Sequence, residues 1–221
     1  MNDHYTKTEC DRCGTCCVKG GPALHFVDLA LLQNNWLKPE QLITIRKGEP
    51  VFSIASENPE PAKSEIIKIK GKGNEWTCLF YESKKANCAI YNHRPLECSL
   101  LKCWDTADLE NVAGKNLLSR YDIIAPTDPI LPFLKNQDEK CCLENLSSCL
   151  SSLNRADSRQ QALTDLTGLV TNDLAIRSQA CEKFDLTLDL ELFFFGRPLF
   201  KILNQFDIRM HFVNGICSLS C

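Results

Sequence analysis

The sequence has little that would take it into a membrane, onto nucleic acid or out of the cell. No segment approaches the length of an apolar transmembrane helix, and the greasiest run, Leu190 to Phe200, contains Glu191, Arg197 and Pro198. The N-terminal stretch Met1-Asn2-Asp3-His4-Tyr5-Thr6-Lys7 is polar and lacks the apolar core of a signal peptide. No window is rich enough in lysine and arginine to read as a basic patch, and the net charge over 221 residues is −3, so nothing calls for a nucleic-acid partner. No Ser/His/Asp order, paired-carboxylate motif or phosphate-binding glycine loop stands out, which leaves any catalytic residue unknown. These absences predict a cytoplasmic chain with neither a membrane nor a nucleic acid as its partner.

Against this ordinary background cysteine is in excess, with fourteen residues. Many cysteines can mean a disulfide framework, but that reading expects a secreted chain. In a reducing compartment thiols persist as thiols unless metal holds them, so metal binding is the better reading. The densest stretch is Cys10-Asp11-Arg12-Cys13-Gly14-Thr15-Cys16-Cys17, four cysteines in eight residues. A Cys-x-x-Cys step lets two thiolates converge on one ion, and Gly14 permits the tight turn. Repeating the step through Cys10, Cys13 and Cys16 gives three convergent thiolates, as in ferredoxin-like sequences that hold three corners of a cubane. Zinc ribbons more often separate their Cys-x-x-Cys pairs. Adjacent side chains usually diverge, so Cys17 is expected to serve a second metal or to pack as a small hydrophobe.

Downstream, His25 to Gln33 carries apolar residues at helical spacing, with Asp28 as a cap, and Pro39 opens another short helix. His25 beside an apolar stripe is more often a packed residue than a ligand. Residues 46–64 read as loop or edge. Ile66 to Lys70, then Gly71-Lys72-Gly73-Asn74, then Glu75 to Tyr81 predict a β-hairpin. Four more cysteines, Cys78, Cys88, Cys98 and Cys103, fall in a 26-residue stretch. Pro95 can start a helix carrying Cys98. Arg94 stands between candidate thiolates, where its charge offsets theirs, or else pairs with Glu97.

Taken together, Cys10-x-x-Cys13-Gly14-x-Cys16-Cys17, Cys78-x-Phe80, Cys88-x-Ile90-Tyr91-x-x-Arg94-Pro95-x-x-Cys98 and Cys103 resemble the YkgJ-type cysteine-cluster family, the CxxCxxCC zinc- or iron-chelating domain. The resemblance covers roughly residues 8–104. It implies metal chelation by Cys10, Cys13, Cys16, Cys17, Cys78, Cys88, Cys98 and Cys103, with no settled reaction. One departure is Ser99, where the family usually has arginine. The motif also occurs in flagellin lysine N-methylases, yet no glycine-rich nucleotide loop accompanies it here.

Past Cys103 the texture changes. Tyr121 to Pro132 holds three prolines and predicts extended chain or loop. Glu144 to Leu153, Ala156 to Phe184, a helix capped by Asp185 and ending at Phe195, and Leu199 to Phe206 read as helices, interrupted at Gly196-Arg197-Pro198. Phe193, Phe194 and Phe195 read as core. Cys141, Cys142, Cys149, Cys181, Cys217 and Cys221 match no metal motif, although Cys217 and Cys221 with Cys141 and Cys142 offer a second thiolate site.

The fold expectation is α+β, mostly α: residues 1–104 as an irregular cysteine-rich, metal-nucleated unit with a β-hairpin, and residues 105–221 as a helical unit packed against it. Two functional readings stand. One is an iron–sulfur protein, its cofactor of the 4Fe-4S type, with a protein redox partner or protein substrate and Arg94 beside the cofactor. The other is a zinc-braced binding module without catalysis. The tight triple-thiolate run fits a cubane better than a ribbon. The proline that follows the last ligand in ferredoxins is missing after Cys98 and Cys103.

Overall fold

The structure, a computed structural model, describes residues 10–52, 58–73, 75–144, 146–213 and 216–220. In chain order its helices are α1 (Thr15–Val18), α2 (Leu29–Gln33), α3 (Leu96–Leu100), α4 (Ala107–Val112), α5 (Arg120–Ile123), α6 (Leu131–Lys140), α7 (Leu146–Ser152), α8 (Arg159–Phe184), α9 (Leu188–Phe195) and α10 (Leu199–Leu203). Its strands are β1 (Leu42–Ile45), β2 (Pro50–Val51), β3 (Glu60–Pro61), β4 (Ile66–Ile69), β5 (Tyr81–Glu82), β6 (Asn87–Cys88), β7 (Arg209–Val213) and β8 (Ile216–Ser220). The fold is α+β and mostly α, with short antiparallel pairs. Two compact units compose it. One takes the chain up to Leu42 together with Ile67–Leu118, and the other takes Ile43–Ile66 with the chain from Ser119 onward.

The first unit is organised on an extended segment. Leu24 N–H donates to the Ile67 carbonyl at 2.8 Å, and Leu118 N–H donates to the Leu24 carbonyl at 2.9 Å. Residues 23–26 thus lie between 67–69 and 116–118, and the apolar side chains of Leu24, Leu37, Ile67, Ile69 and Leu118 fill the core. The expected hairpin forms only in part. Gly71 bridges Cys78, with Leu79 N–H donating to the Lys70 carbonyl at 3.0 Å. Beyond that, Tyr81 N–H turns back to the Cys78 carbonyl at 3.0 Å, which ends the ladder. The chain then starts β5, which pairs antiparallel with β6, Tyr81 opposite Cys88.

The second unit is built around α8. Its buried face runs Ala162, Leu166, Val170, Asp173, Ile176, Arg177 and Ala180, the three-and-four spacing of one helical stripe. Leu163, Leu169 and Leu174, expected on that face, lie half-buried at its margins against a core of Leu143, Leu146, Leu199, Ile202, Leu203 and Ile208. Two polar residues occupy the centre of the stripe. Asp173 accepts from Arg177 Nε at 2.9 Å, from Leu199 N–H at 2.9 Å and from Gln137 Nε2 at 2.7 Å. Arg177 in turn donates to the carbonyls of Phe195, Gly196 and Arg197 at 2.7, 3.0 and 3.1 Å. Those are carbonyls that the break between α9 and α10 would otherwise leave unpaired. Gly196 sits at φ 69, and a β-carbon there would come within 2.5 Å of the Thr44 carbonyl oxygen, so no other residue fits this corner.

Several local expectations differ from the structure. Thr187, rather than Asp185, caps α9, its hydroxyl accepting from Leu190 N–H at 3.3 Å. Asp185 instead ends α8 in the left-handed conformation at φ 49. Residues 121–132 are not all extended, because Ser119 and Asp122 close a capping box that starts α5. Pro132 lies in the first turn of α6, where its missing N–H costs nothing. The strands β7 and β8 pair antiparallel with Phe212 opposite Cys217, a hairpin that the apolar pattern did not announce. Of the three phenylalanines read as core, Phe193 and Phe195 are fully buried and Phe194 is half-buried.

Candidate metal centre

The candidate ligands are carried by short elements of the first unit. Gly14 adopts φ 80 and caps α1, which holds Cys16 and Cys17 in a single turn closed by Val18 N–H donating to the Gly14 carbonyl at 2.9 Å. The sulfurs of Cys16 and Cys17 lie 3.9 Å apart, so these neighbours point the same way rather than diverging. Cys78 is delivered to the same place by its N–H, which donates to the Cys17 carbonyl at 2.8 Å. Cys88 ends β6, and Cys98 rides on α3, whose N-terminal boundary is Pro95. Cys103 follows α3 in a turn and is exposed, as are Cys10 and Cys13. None of the described cysteines is joined in a disulfide.

The electrostatics show which thiols are neighbours. Burial pushes the Cys17 thiol up to about 12, with further contributions from Cys16, Cys78 and Cys88. Burial likewise raises Cys98, followed by the negative fields of Cys78, Cys17, Cys16 and Cys88. Cys78 is raised by burial and by Cys88. Cys16, Cys17, Cys78, Cys88 and Cys98 are therefore neighbours, which would repel one another as thiolates unless a metal held them. Among the described residues no three Cys, His, Asp or Glu side chains close onto one point at metal-ligand spacing. As donors, the residues fit a thiophilic metal or cluster: every one is sulfur, and the shared field of five is the kind a bound cation relieves.

Around these thiols the structure places residues that the cysteine pattern does not reveal. The Tyr81 hydroxyl reaches the Cys13 carbonyl at 3.5 Å. Asp28 is buried and accepts from His25 N–H and from Leu96 N–H, both at 2.9 Å, which ties the start of α3 to residues 25–28. Glu97 accepts from Ala23 N–H at 2.8 Å and lies 3.4 Å from His25 Nε2. The carboxylate considered as a partner for Arg94 is thus engaged elsewhere, while Arg94 stacks on Tyr91 at 3.8 Å from the ring centre. His25 Nδ1 donates to the Lys115 carbonyl at 2.8 Å. A carbonyl only accepts, so Nδ1 carries a proton and is no ligand. His93 stacks on Trp36 with ring centres 3.4 Å apart.

The remaining cysteines are dispersed. The Cys141 thiol is buried, donates to the Leu169 carbonyl at 3.8 Å and is pushed up to about 11 by burial. Cys149 and Cys217 pack against the apolar core, Cys142 is exposed, Cys181 is half-buried, and Cys221 lies outside the described residues.

A set of thiols gathered from a glycine turn, a β-bridge and short helices defines a cysteine-cluster protein of the metal-chelating kind. Residues 9–116 match the model of the CxxCxxCC family, "Putative zinc- or iron-chelating domain", and this stretch of the chain belongs to that family. No curated protein and no solved structure matches the chain. No described helix is long and apolar enough to cross a membrane.

Proposed function

We propose that the centre holds an iron–sulfur cluster of the 4Fe-4S type and that the protein serves electron transfer, or the modification or maturation of another protein. Cys10, Cys13 and Cys16 supply three ligands in this reading. The fourth is Cys98 rather than Cys103, because Cys98 shares the field of Cys16 and of Cys17. That shared field is the observation that carries the proposal: it joins the CxxCxxCC turn to the Arg94-Pro95 segment, as one cluster with split ligands requires. Cys17, Cys78 and Cys88 complete the sulfur set around a second metal, and Arg94 offsets the negative charge of the ligated thiolates. When bound, such a cluster supplies one-electron chemistry. The chain's own residues bring the sulfurs together and bury part of them. The partner is then a protein, as redox partner or as substrate, in a reducing cytoplasm.

Zinc is the second reading, and one observation favours it. Cys17, Cys78, Cys88 and Cys98 are four neighbouring thiols, the number that closes a tetrahedral site. The protein would then be a braced interaction module. Visible absorption, with iron, zinc and acid-labile sulfide counted per chain on protein purified without air, decides between the two. Brown protein with iron and sulfide in similar amounts is the expected result. Colourless protein with zinc and no sulfide would overturn it.

A further inference from the structure

Two arginines from the cysteine-bearing stretches converge on one tyrosine. The Arg12 guanidinium lies 4.4 Å and the Arg94 guanidinium 3.8 Å from the centre of the Tyr91 ring. By these distances the two like charges lie within about 8 Å of each other. Ring stacking attracts each cation, but their mutual repulsion works against the pair. Among the described residues no ion pair joins either one to a carboxylate, and Arg94 Nε is buried without a hydrogen-bond partner. Arg12 is moreover held at φ 56, a left-handed conformation that side-chain-bearing residues rarely adopt. Strain, repulsion and an orphaned buried donor in one place call for negative charge nearby.

Thiolates held on a metal would supply that charge. Arg12 stands between Cys10 and Cys13, Tyr91 follows Cys88, and Arg94 precedes Cys98. The Arg12 backbone N–H already donates to the Cys10 sulfur at 3.3 Å. The stack also joins two stretches that are far apart in sequence, the CxxCxxCC turn and the Cys88–Cys98 segment. We infer that Arg12, Tyr91 and Arg94 form a cationic clasp. It holds the two cysteine-bearing stretches together through the Tyr91 ring, and thiolates on a bound metal would be the counter-charge to its two cations. Tyr91 and Arg12 act as positioning residues, and the inference rests on the metal-centre reading above without depending on which metal is native.

The test titrates Co(II) alone, without air, into metal-free wild-type protein and into Arg12→Gln, Arg94→Gln, Arg94→Lys, Tyr91→Phe and Tyr91→Ala, following the thiolate-to-cobalt absorption at low and at high salt. Removing either arginine is expected to weaken Co(II) binding about tenfold at low salt, the scale of an outer-shell partner. The deficit should shrink at high salt, since exposed charge is screened. Arg94→Lys and Tyr91→Phe should stay near wild type, and Tyr91→Ala should match the arginine variants. Wild-type affinity in both glutamine variants overturns the clasp while leaving the metal centre standing. A loss that is unchanged by salt and accompanied by altered circular dichroism of the metal-free protein assigns the residues to folding alone and also overturns it. Wild-type protein that shows no thiolate-to-cobalt bands removes the metal centre itself.

Discussion

Gly14 and Tyr81 exclude any side chain between them: a β-carbon built on Gly14 would run into the Tyr81 hydroxyl oxygen and the ring carbon that bears it. The tyrosine ring packs over the glycine, and its hydroxyl reaches the adjacent Cys13 carbonyl. Cys13 and Cys16 are therefore presented from a turn that only glycine can make, at φ 80 and under an aromatic ring. Gly14→Ala is expected to lose at least about 1–3 kcal/mol from the left-handed backbone alone, before the clash is counted. Thermal unfolding of the metal-free protein and its Co(II) capacity measure both effects. An alanine variant with wild-type stability and capacity would contradict this account of the turn.

Asp28 couples the position of Cys98 to the helix that begins the first unit's core. Its two oxygens each accept one backbone N–H, from His25 and from Leu96. Asp28→Asn keeps only one acceptor and sets an amide N–H against one of those donors. The expected cost is about 1–3 kcal/mol, that of a buried group left unpaired. Urea unfolding of the metal-free protein reads it, and a change below about 0.5 kcal/mol would show the tie to be unimportant.

In the second unit the acid sensitivity should trace to Asp173. Burial alone would raise its carboxyl, but the Arg177 and Arg46 guanidiniums, Leu199 N–H and Gln137 together hold it below the usual carboxylate range. The native state thus binds this proton less readily than the unfolded chain. The stabilisation is full above the unfolded value of about 4 and is lost as pH falls through the native value. Asp173→Asn should cost about 3–5 kcal/mol at neutral pH, because it takes the carboxylate from buried Arg46 and leaves Arg177 only Glu191. The variant's stability should also vary less than wild type's below about pH 4. Denaturant unfolding across that range is the check, and an unchanged acid limb would place the sensitivity elsewhere.

Thiol chemistry of the metal-free protein should sort by burial. Cys17, Cys78 and Cys98 are raised by burial and then by neighbouring thiols, and Cys141 by burial. Cys10, Cys13, Cys16, Cys103 and Cys142 lie open to solvent. Brief alkylation with iodoacetamide near pH 8, read by peptide mass spectrometry, should label the exposed group first, since the thiolate is the nucleophile. Metal loading should then protect the exposed members of the first unit but leave Cys142 reactive. Equal labelling of Cys98 and Cys103 would contradict the placement of Cys98.

What was readable in advance was whatever depends on local spacing. The repeated Cys-x-x-Cys step, Gly14 and the Arg94-Pro95 pair announced a sulfur-rich centre, and the apolar period within 156–184 announced α8, which begins three residues later than expected at Arg159, since both patterns act over a few residues. The reading of Cys17 as diverging from Cys16 failed because adjacent side chains diverge in regular structure, whereas α1 is a single turn capped by a left-handed glycine. Pro132 misled because proline marks a helix start as readily as a loop.

The sequence by itself determined the sulfur-rich composition, the family of residues 9–116 and the mostly helical character, because those follow from residue type and short-range periodicity. Only the tertiary structure decided that Cys16, Cys17, Cys78, Cys88 and Cys98 share one field, that Arg12 and Arg94 meet on Tyr91, and that Ile43–Ile66 belongs with the C-terminal unit. The physical reason is the same in each case. These relationships join residues tens of positions apart, and burial and the satisfaction of backbone hydrogen bonds, which no local window contains, set their distances.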